Sequence, residues 1–515
     1  MGLTADVTGH FFVLRGDLNQ LKCDAILVPC DGAWNVVWDH WSALLQEHEF
    51  DQDDYGLARP RGEGESGRFR DMSPDRGRAI RLVVTAFGGS GHRWVADGVV
   101  DAIAALAKDL VVQTGRVKPL IALPLVGTGF GGLEHRRGEL IKALLPALDK
   151  VAHQTDTDVA LVLFNDRDHA AVQSQRSHSY WEGFDTEQLK LADDLGRKAA
   201  HKELSLFLGS GVSVPLGLPD WRGLLSEVGG EQLEQFSPAQ APEIAQRIAR
   251  NLGGVEFYQK VAARLTTTGV APAHLPLAGL GVRQAVTTNY DTAYEAALAT
   301  RLGADGFQVL TRELAAQPKP WLLKIHGDVA DPKTIVITSD DYTVLKEQRG
   351  ALHAVVEALL MTSHLLFVGY SMGDPDFVES ANRVRDVRGL ASHDADNDFA
   401  TILALHPGAV SAHPDFQTVP MLDGRDDTTA ARLLEIFLDR LSWAASKHGE
   451  GSHSYLLDPN YGDLLAEDPD NTRLRDLLAE LVTLPVDDPA RRSTGWKFVQ
   501  DLITELGGPT PGVPS

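Results

Sequence analysis

The sequence predicts an α/β protein in which two largely parallel sheets, each flanked by helices, are followed by a helical C-terminal tail. Short apolar runs rich in β-branched residues recur along most of the chain, and segments with helical apolar spacing lie between them. This alternation is typical of parallel sheets covered by helices on both faces. At 515 residues the chain is also too long for a single hydrophobic core, so we expect two or three domains.

Composition excludes several classes of protein. The net charge of −23 and the pI near 5.2 leave no basic stripe for a nucleic-acid backbone, so no nucleic-acid partner is expected. The sequence shows neither a secretory signal nor an apolar run of membrane-spanning length, which predicts a cytoplasmic protein without a membrane partner. Cys23 and Cys30 are too few for a disulfide framework or a four-cysteine zinc site, and no metal is expected.

The first predicted domain covers residues 1–175. Its buried strands are predicted at residues 11–15, 24–29, 79–86, 120–126 and 159–164, with helices at 95–114 and 137–151, which together make an α/β sandwich. Residues 51–78 are polar and rich in Gly and Arg, which predicts a long surface loop. The polar segment 166–187 predicts the boundary to the next domain.

Two turns of this domain carry a ligand-binding pattern. One is Arg15-Gly-Asp-Leu followed by Asp24-Ala-Ile-Leu-Val, and the other is Pro124-Leu-Val-Gly-Thr-Gly-Phe-Gly-Gly. Glycines ahead of a helix N-terminus present backbone amides to phosphate groups. The two segments resemble those with which macro domains grip ADP-ribose. The resemblance implies a pyrophosphate site at Gly127, Thr128, Gly129 and Gly131, with Asp24 accepting from the adenine amino group.

The macro-like domain departs from that family at one segment. Where many macro domains place asparagines against the distal ribose, this chain has Val28-Pro-Cys-Asp. The resemblance therefore implies binding of an ADP-ribose-like nucleotide rather than its hydrolysis. A glycine-rich turn that only closes the sheet is the alternative.

The second predicted domain, residues 190–448, opens on a strand and glycine turn in the stretch LSLFLGSGVSVPLGLPDW at 204–221. The buried strand stops at Gly209, and Gly209 and Gly211 permit a tight turn and a close approach of the backbone to a ligand. Ser210 and Ser213 add hydroxyl groups facing the same space. By itself this turn is equally compatible with an ordinary strand-to-helix connection.

Three later strands of this domain end in polar residues. The segments TTNYD, KIHGD and VGYS place Asn289, His326 and Ser371 just after apolar runs. Open parallel sheets bind ligands at the carboxyl ends of their strands. We therefore expect these side chains and the first glycine turn to share one edge of a doubly wound, Rossmann-like sheet.

Taken in this order, GSGVSVPLGLPDW, TTNYD, KIHGD and VGYS resemble the sirtuin fold, over about half of the chain. The resemblance implies NAD as the ligand, with His326 as catalytic base and with Asn289 and Asp291 beside the nicotinamide ribose. A capping role for Asp291 at the next helix is the alternative. The remaining NAD-binding positions implied are Gly209, Ser210, Gly211, Ser213, Asp220, Trp221, Gly369 and Ser371.

The missing cysteines distinguish between branches of that family. Sirtuin deacylases carry a zinc module held by four cysteines, whereas this chain has no cysteine beyond Cys30. In this respect it resembles the zinc-free sirtuin-like effectors of bacterial antiviral systems, which degrade NAD. The resemblance implies an NAD⁺ glycohydrolase that releases nicotinamide and ADP-ribose. The alternatives are an NAD-dependent deacylase or ADP-ribosyltransferase, and a non-catalytic NAD or ADP-ribose sensor.

The chemistry of such a reaction fits the candidate residues. Nicotinamide leaves as a neutral molecule while positive charge develops on the ribose, as in glycoside hydrolysis. The protein must then place a water molecule, stabilise the cation and accept a proton. Asn289 is suited to hold the water or ribose hydroxyls, and His326 to accept the proton. Trp221 and Phe257 are candidates for shielding nicotinamide, with core packing as the alternative.

The third predicted region, residues 449–515, is a helical extension with helices at 472–484 and 490–506. It packs on its own domain or makes an oligomer contact, and the sequence does not separate these alternatives. An NADase that is always active would be lethal. We therefore expect an autoinhibited homo-oligomer that is released by a phage protein or by a nucleotide at the macro-like domain.

Overall fold

The structure is a computed structural model of the chain. It describes residues 8–47, 67–72, 77–86, 91–129, 132–181, 183–236, 240–311, 318–348, 350–370, 382–384, 399–407, 416–424, 426–466 and 468–509. Among the described helices, none combines the length and the apolar character needed to cross a membrane.

The first sheet has six strands in the order β1-β6-β5-β2-β4-β3, all parallel to their neighbours except β3. The strands are β1 Phe11–Arg15, β2 Ala25–Asp31, β3 Phe69–Asp71, β4 Ala79–Ala86, β5 Leu120–Leu123 and β6 Asp158–Leu163. The helices of this part are α1 Trp38–Glu47, α2 His92–Leu106, α3 Arg137–Thr155, α4 Asp166–Ser174 and α5 Thr186–Ala200. Helices α2 and α3 cover one face of the sheet and bury an aliphatic core against it. The predicted α/β character and parallel pairing of this region are confirmed.

The second sheet has seven strands, all parallel, in the order β13-β12-β11-β7-β8-β10-β9. The strands are β7 Leu204–Leu208, β8 Gln284–Thr287, β9 Gln308–Leu310, β10 Trp321–Lys324, β11 His364–Val368, β12 Ala400–Ala404 and β13 Phe416–Pro420. Its helices are α6 Trp221–Gly229, α7 Ala241–Leu252, α8 Gly254–Leu265, α9 His274–Gly279, α10 Ala293–Leu302, α11 Ser339–Gln348, α12 Gly350–Thr362 and α13 Asp427–His448. The strands lie on both sides of β7, with β11, β12 and β13 on one side and β8, β10 and β9 on the other. This is the Rossmann-like, doubly wound pattern that the sequence predicts.

Helix α13 lies between the two sheets and joins their cores. Every residue from 430 to 445 is buried, so the helix has no solvent face. One continuous apolar cluster contains Phe12 of β1, Leu206 of β7 and Leu438 of α13. The two sheets therefore share a hydrophobic core across this helix.

The side of α13 that faces the first sheet is charged. Asp439 accepts hydrogen bonds from both terminal nitrogens of Arg176, at 3.0 and 2.6 Å, and from the Trp181 indole at 3.2 Å. His10 lies 3.0 Å from the same carboxylate. The segment 166–187, predicted as a polar separator, thus contains helix α4 and contributes Arg176 and Trp181 to a buried interface.

The tail packs on the first sheet's helices. The turn Pro459–Leu465 lies against α3, and the Tyr461 hydroxyl donates to Asp168 at 2.7 Å. Helix α14 Pro469–Val482 has no buried residue, whereas α15 Trp496–Glu505 buries Trp496 and Ile503. The tail thus packs within the chain, against helices of the first sheet rather than of the second, and the oligomer contact stays a prediction.

The elements differ from the predictions mainly at their ends. Strand β5 stops at Leu123, before the predicted 126, because the chain turns at Pro124, and the first long helix ends at Leu106 instead of 114. Within the predicted loop 51–78, Phe69–Asp71 forms the edge strand β3, while residues 51–66 and 73–76 lie outside the described residues. The short β9 and β13 were not predicted because three to five residues at a sheet edge carry little pattern.

Candidate functional site

Four neighbouring strands of the second sheet end in one row. Leu208 of β7 pairs with Thr287 of β8 and with Val368 of β11, and Thr287 pairs with Lys324 of β10. Asn289 and His326 each lie two residues beyond the paired Thr287 and Lys324. The strand pairing thus agrees with the prediction that these strand ends lie at one edge of the sheet.

The glycine turn after β7 is packed against the end of β11. A Cβ atom at Gly209 would lie 2.4 Å from the Gly369 carbonyl oxygen, and one at Gly211 would lie 2.8 Å from the Gly369 Cα. Gly369 has φ +65°, and the Gly211 amide donates to its carbonyl at 2.9 Å. These glycines are thus required by contact between two backbones, which gives them a structural reason independent of a ligand.

Ser213, Asn289 and Asp291 form a hydrogen-bonded group at the strand ends. The Ser213 hydroxyl donates to Asp291 Oδ2 at 3.0 Å and lies 3.4 Å from the Asn289 amide nitrogen, which also donates to the Gly209 carbonyl at 3.0 Å. Asp291 Oδ1 accepts from the Ala293 amide, so this side chain also caps α10. The buried Asn289 Oδ1 finds no hydrogen-bond partner among the residues that the structure describes. An unpaired buried acceptor of this kind is suited to a ligand hydroxyl or a water molecule.

A small cavity, with room for about one water molecule, opens beside this group. Its lining contains the polar side chains of His274, Asn289, Asp291 and Glu295 together with Leu208 and Val212. His274 Nε2 lies 3.3 Å from the Ser213 hydroxyl, and burial lowers the pKa of His274, which favours a neutral ring. The cavity therefore presents carboxylates and an unpaired amide oxygen.

His326 lies at the same edge but is not among the residues lining that cavity. It is 7% exposed, and its ring packs edge-on to Tyr342 with centroids 5.5 Å apart. The ring of Tyr290, which donates its hydroxyl to the Val336 carbonyl, lies 6.5 Å away. The structure thus groups Asn289, Asp291 and Ser213 directly and places His326 on the adjacent strand end.

Lys324 and Glu295 lie beneath these strand ends. Lys324 is fully buried, and its ammonium group lies 2.6 Å from Glu295 Oε1 and 3.3 Å from Asp328 Oδ2. Burial raises the pKa of Glu295 to about 7 despite the opposing charge of Lys324. The Lys324 ammonium group thus faces two carboxylates, those of Glu295 and Asp328.

The other residues implied for NAD binding differ in exposure and in what they contact. Ser210 is exposed on the glycine turn, and Asp220 caps α6 by accepting from the Gly223 amide at 2.7 Å. Trp221 is partly buried against the helices α6 to α8, where Phe257 is fully buried. Core packing, the alternative given for Phe257, agrees with this placement. Ser371 lies outside the described residues.

The glycine turn of the first sheet follows β5 at the carboxyl ends of the strands. Gly127 has φ +79°, a conformation that favours glycine, and the Thr128 hydroxyl donates to the Leu125 carbonyl at 2.9 Å. Gly129 has open space around its Cα, whereas Gly131 lies outside the described residues. Both the ligand-binding and the sheet-closing interpretations fit this turn.

Asp24 has a different role from the one implied by the macro-domain resemblance. The side chain is 0% exposed, and its oxygens accept from the backbone amides of Gln113 at 2.6 Å, Thr114 at 3.1 Å and Leu120 at 2.8 Å. Because the carboxylate is already occupied by the chain's own amides, the geometry favours a structural role over adenine recognition.

The sequence interpretation assigned no role to His274, Glu295 or Lys324. The signal for Lys324 was present, since a lysine inside a buried parallel strand must find a partner. Glu295 and His274 sit on helices with unremarkable patterns, and only the fold brings them to the strand ends. No group of three or more His, Cys, Asp or Glu arranged for a metal ion occurs in the described part of the chain.

The doubly wound sheet and its row of strand ends lie in a region that a known domain family matches. Residues 283–413, which include the TTNYD, KIHGD and VGYS segments, match the SIR2-like domain family. The match supports the predicted sirtuin-like character over these residues.

Individual relatives give a more particular comparison. The chain is 28% identical to "NAD(+) hydrolase ThsA" of Cytobacillus dafuensis over 199 residues, which are 37% of this chain and 40% of the relative. It is 27% identical to the protein of the same name from Acinetobacter baumannii, over 39% of this chain and 43% of the relative. "Defense-associated sirtuin 2" of Bacillus subtilis is 22% identical over 41% of this chain and 22% of its own length. The chain thus matches less than half the length of each of these relatives.

Proposed function

We propose that the chain is an NAD⁺ hydrolase that cleaves NAD into nicotinamide and ADP-ribose at the strand ends of the second sheet. The observation that carries the proposal is the alignment of Asn289 and His326, each two residues beyond a paired position on neighbouring strands. The relatives named NAD(+) hydrolase support the same activity.

The buried side chains suit the charge changes of this reaction. The glycosidic bond of NAD breaks to leave neutral nicotinamide and a cationic ribose. The carboxylates of Asp291 and Glu295 line the cavity, where negative charge favours that cation. The unpaired Asn289 Oδ1 accepts from a ribose hydroxyl or from the attacking water, and His326 takes the proton of that water.

The remaining assignments complete this proposal. Gly209, Ser210, Gly211 and Ser213 contact the pyrophosphate, Gly369 and Ser371 border the adenosine, and Asp220 and Trp221 flank the pocket. The reaction needs no zinc, and NAD is the substrate. The name "Defense-associated sirtuin 2" suggests a role in defence. We propose that this role is anti-phage and that a cytoplasmic homo-oligomer is activated by a phage protein or nucleotide.

The test is release of nicotinamide from NAD by the purified chain. Wild type should turn over many times without an acyl-lysine or protein acceptor, whereas Asn289→Ala and His326→Ala should lose about 10³-fold or more in kcat. Asn251→Ala, at an exposed asparagine on α7, is the matched control and should keep wild-type activity. Each variant is checked for cooperative thermal unfolding.

Other outcomes identify the alternative functions. Release of nicotinamide only with an acylated peptide or a protein acceptor would indicate a deacylase or an ADP-ribosyltransferase. Tight NAD or ADP-ribose binding without turnover under any activator would indicate a sensor. Wild-type rates in both alanine variants would contradict the proposed site.

A second proposal concerns the first domain, which we propose to be macro-like and to bind an ADP-ribose-like nucleotide. The supporting feature is the Gly127–Thr128–Gly129 turn at the carboxyl ends of parallel strands, with open space at Gly129. Calorimetric titration with ADP-ribose should show binding in wild type that is weakened by Gly129→Val. Equal affinity in both would indicate that the turn only closes the sheet.

A further inference from the structure

The buried Lys324 is the starting point for a further inference. Its side chain is 0% exposed at the end of β10, in the middle of a parallel sheet. An ammonium group in such a place is very costly unless its donors are paired. The groups that pair with the Lys324 ammonium group are therefore held strongly in place.

The contacts of the Lys324 ammonium group lie on both catalytic strand ends. On the Asn289 side it donates to the carbonyl oxygens of Tyr290 at 3.2 Å and Asp291 at 2.7 Å. On the His326 side it lies 3.3 Å from Asp328 Oδ2. One charged group thus ties the residues directly after Asn289 to the residues directly after His326.

Neighbouring contacts reinforce the link between the two loops and connect it to helix α10. Glu295 of α10 accepts from Lys324 at 2.6 Å. The Val329 amide donates to the Tyr290 carbonyl at 3.1 Å, so that carbonyl receives bonds from both β10 and the loop after it. The two loops can therefore shift relative to one another only if the Lys324 contacts break.

We propose that Lys324 is a positioning residue that fixes the spacing between Asn289 and His326 through its bonds to the two loops that follow them. The proposal rests on the NAD cleavage proposed above. Lys324 does not touch the substrate; it acts through Asn289 and His326. A displacement of about 1 Å between reacting groups is enough to cost about 100-fold in rate.

The test uses the full chain and a variant that removes the Glu295 carboxylate together with the Lys324 cation. Lys324→Met alone leaves Glu295 without its cation and is expected to be unstable, so Lys324→Met/Glu295→Gln is the informative variant. It should unfold cooperatively, keep KM within about threefold of wild type, and lose about 100-fold or more in kcat. Lys260→Met removes an exposed lysine that pairs with Glu256 on α8 and should leave kcat unchanged.

Hydrogen exchange provides a readout that does not require turnover. In the double variant the amides of residues 288–291 and 327–330 should exchange faster, while those of the first sheet stay at wild-type rates. A double variant with kcat within about threefold of wild type, or with unchanged exchange in both loops, would overturn the positioning role. If wild type releases no nicotinamide, the proposed function fails, whereas the exchange comparison still decides whether Lys324 holds the loops.

Discussion

Two clusters of largely buried charge differ in their balance of cations and carboxylates. At the interface around α13, four guanidinium groups face four carboxylates: Arg116, Arg176, Arg432 and Arg440 against Asp158, Asp193, Asp439 and Glu435. At the strand ends, the Lys324 ammonium group lies near two carboxylates, those of Glu295 and Asp328, and the Asn289 Oδ1 atom finds no partner among the described residues. Balanced charge fits a structural contact, whereas an excess of carboxylates beside an unpaired acceptor fits a place where a ligand completes the network.

The titration behaviour of the two places follows the same difference. At the interface, the guanidinium groups hold the pKa of Asp158 and of Asp439 down to about 2 despite burial. At the strand ends, burial outweighs the single lysine and raises the pKa of Glu295 to about 7. The ionised carboxylates therefore stabilise the interface but cost stability at the site.

The largest effect is expected from breaking the interface. Asp439→Ala removes the acceptor for Arg176 and His10, both of which are buried, and leaves a guanidinium group without its counter-charge. The free energy of unfolding should fall by about 3–5 kcal/mol in a denaturant titration at pH 7. Nicotinamide release per folded molecule should change little, because the site does not contain this residue.

The matched control for this variant is an exposed ion pair. Glu231→Ala breaks the contact of Glu231 with Arg247, whose side chains are 42% and 50% exposed, and should cost less than about 1 kcal/mol. Equal losses in Asp439→Ala and Glu231→Ala would contradict the view that the interface is the structural member of the two places.

At Glu295 we expect a smaller effect on the free energy of unfolding, and its pH dependence should have the opposite sign to that of the interface. Its pKa in the folded chain lies above the ordinary value of 4.5, so its stabilising contribution is present below about pH 4.5 and is lost as the pH rises through about 7. In wild type this loss amounts to about 3 kcal/mol. Glu295→Gln should flatten the unfolding free energy between pH 5 and pH 8, as measured by denaturant titrations at several pH values.

The interface provides the control for that pH dependence. Asp158 and Asp439 of the interface have depressed pKa values, so their contribution is present above about pH 4 and is lost only as the pH falls towards about 2. Glu295→Gln should therefore leave the acid limb of the stability curve unchanged. A Glu295→Gln curve that still falls between pH 5 and pH 8 like that of wild type would indicate that Glu295 is ionised throughout this range.

The sequence was most informative where apolar strands end in polar residues. The runs before Gly209, Asn289 and His326 predicted both the parallel sheet and its shared edge, because strand direction and the carboxyl-end rule leave few arrangements. The interface around α13 was not predicted. Arg176 and Asp439 are 263 residues apart, and nothing in either local pattern shows that they pair in a buried space.

The same limit explains the errors at the site. Asp24 looked like a ligand-binding carboxylate, but its partners, the amides of Gln113 and Thr114, belong to a segment with no regular structure. Glu295 and His274 were missed because only tertiary packing brings their helices to the strand ends. Composition and periodicity predict elements, whereas the pairing of polar groups depends on contacts distant in sequence.

The smallest and most discriminating effect is expected at Ser213, which is 2% exposed and donates to Asp291 at 3.0 Å. Ser213→Ala leaves Asp291 with the Ala293 amide and Asn289 with the Gly209 carbonyl, so unfolding should cost only about 1 kcal/mol. The kcat/KM for NAD should fall about tenfold, because each of these side chains loses one of the bonds that orient it.

Ser205→Ala is the control that separates the effect on stability from the effect on kcat/KM. Ser205 lies in β7 and is as deeply buried as Ser213. It accepts one neutral hydrogen bond from Ser363 at 2.9 Å, away from the strand ends. The variant should lose about the same stability as Ser213→Ala, about 1 kcal/mol, and should keep wild-type kcat/KM. If both variants keep wild-type kcat/KM, the hydrogen-bonded group at the strand ends is as purely structural as the interface, and the excess of carboxylates there does not mark a ligand site.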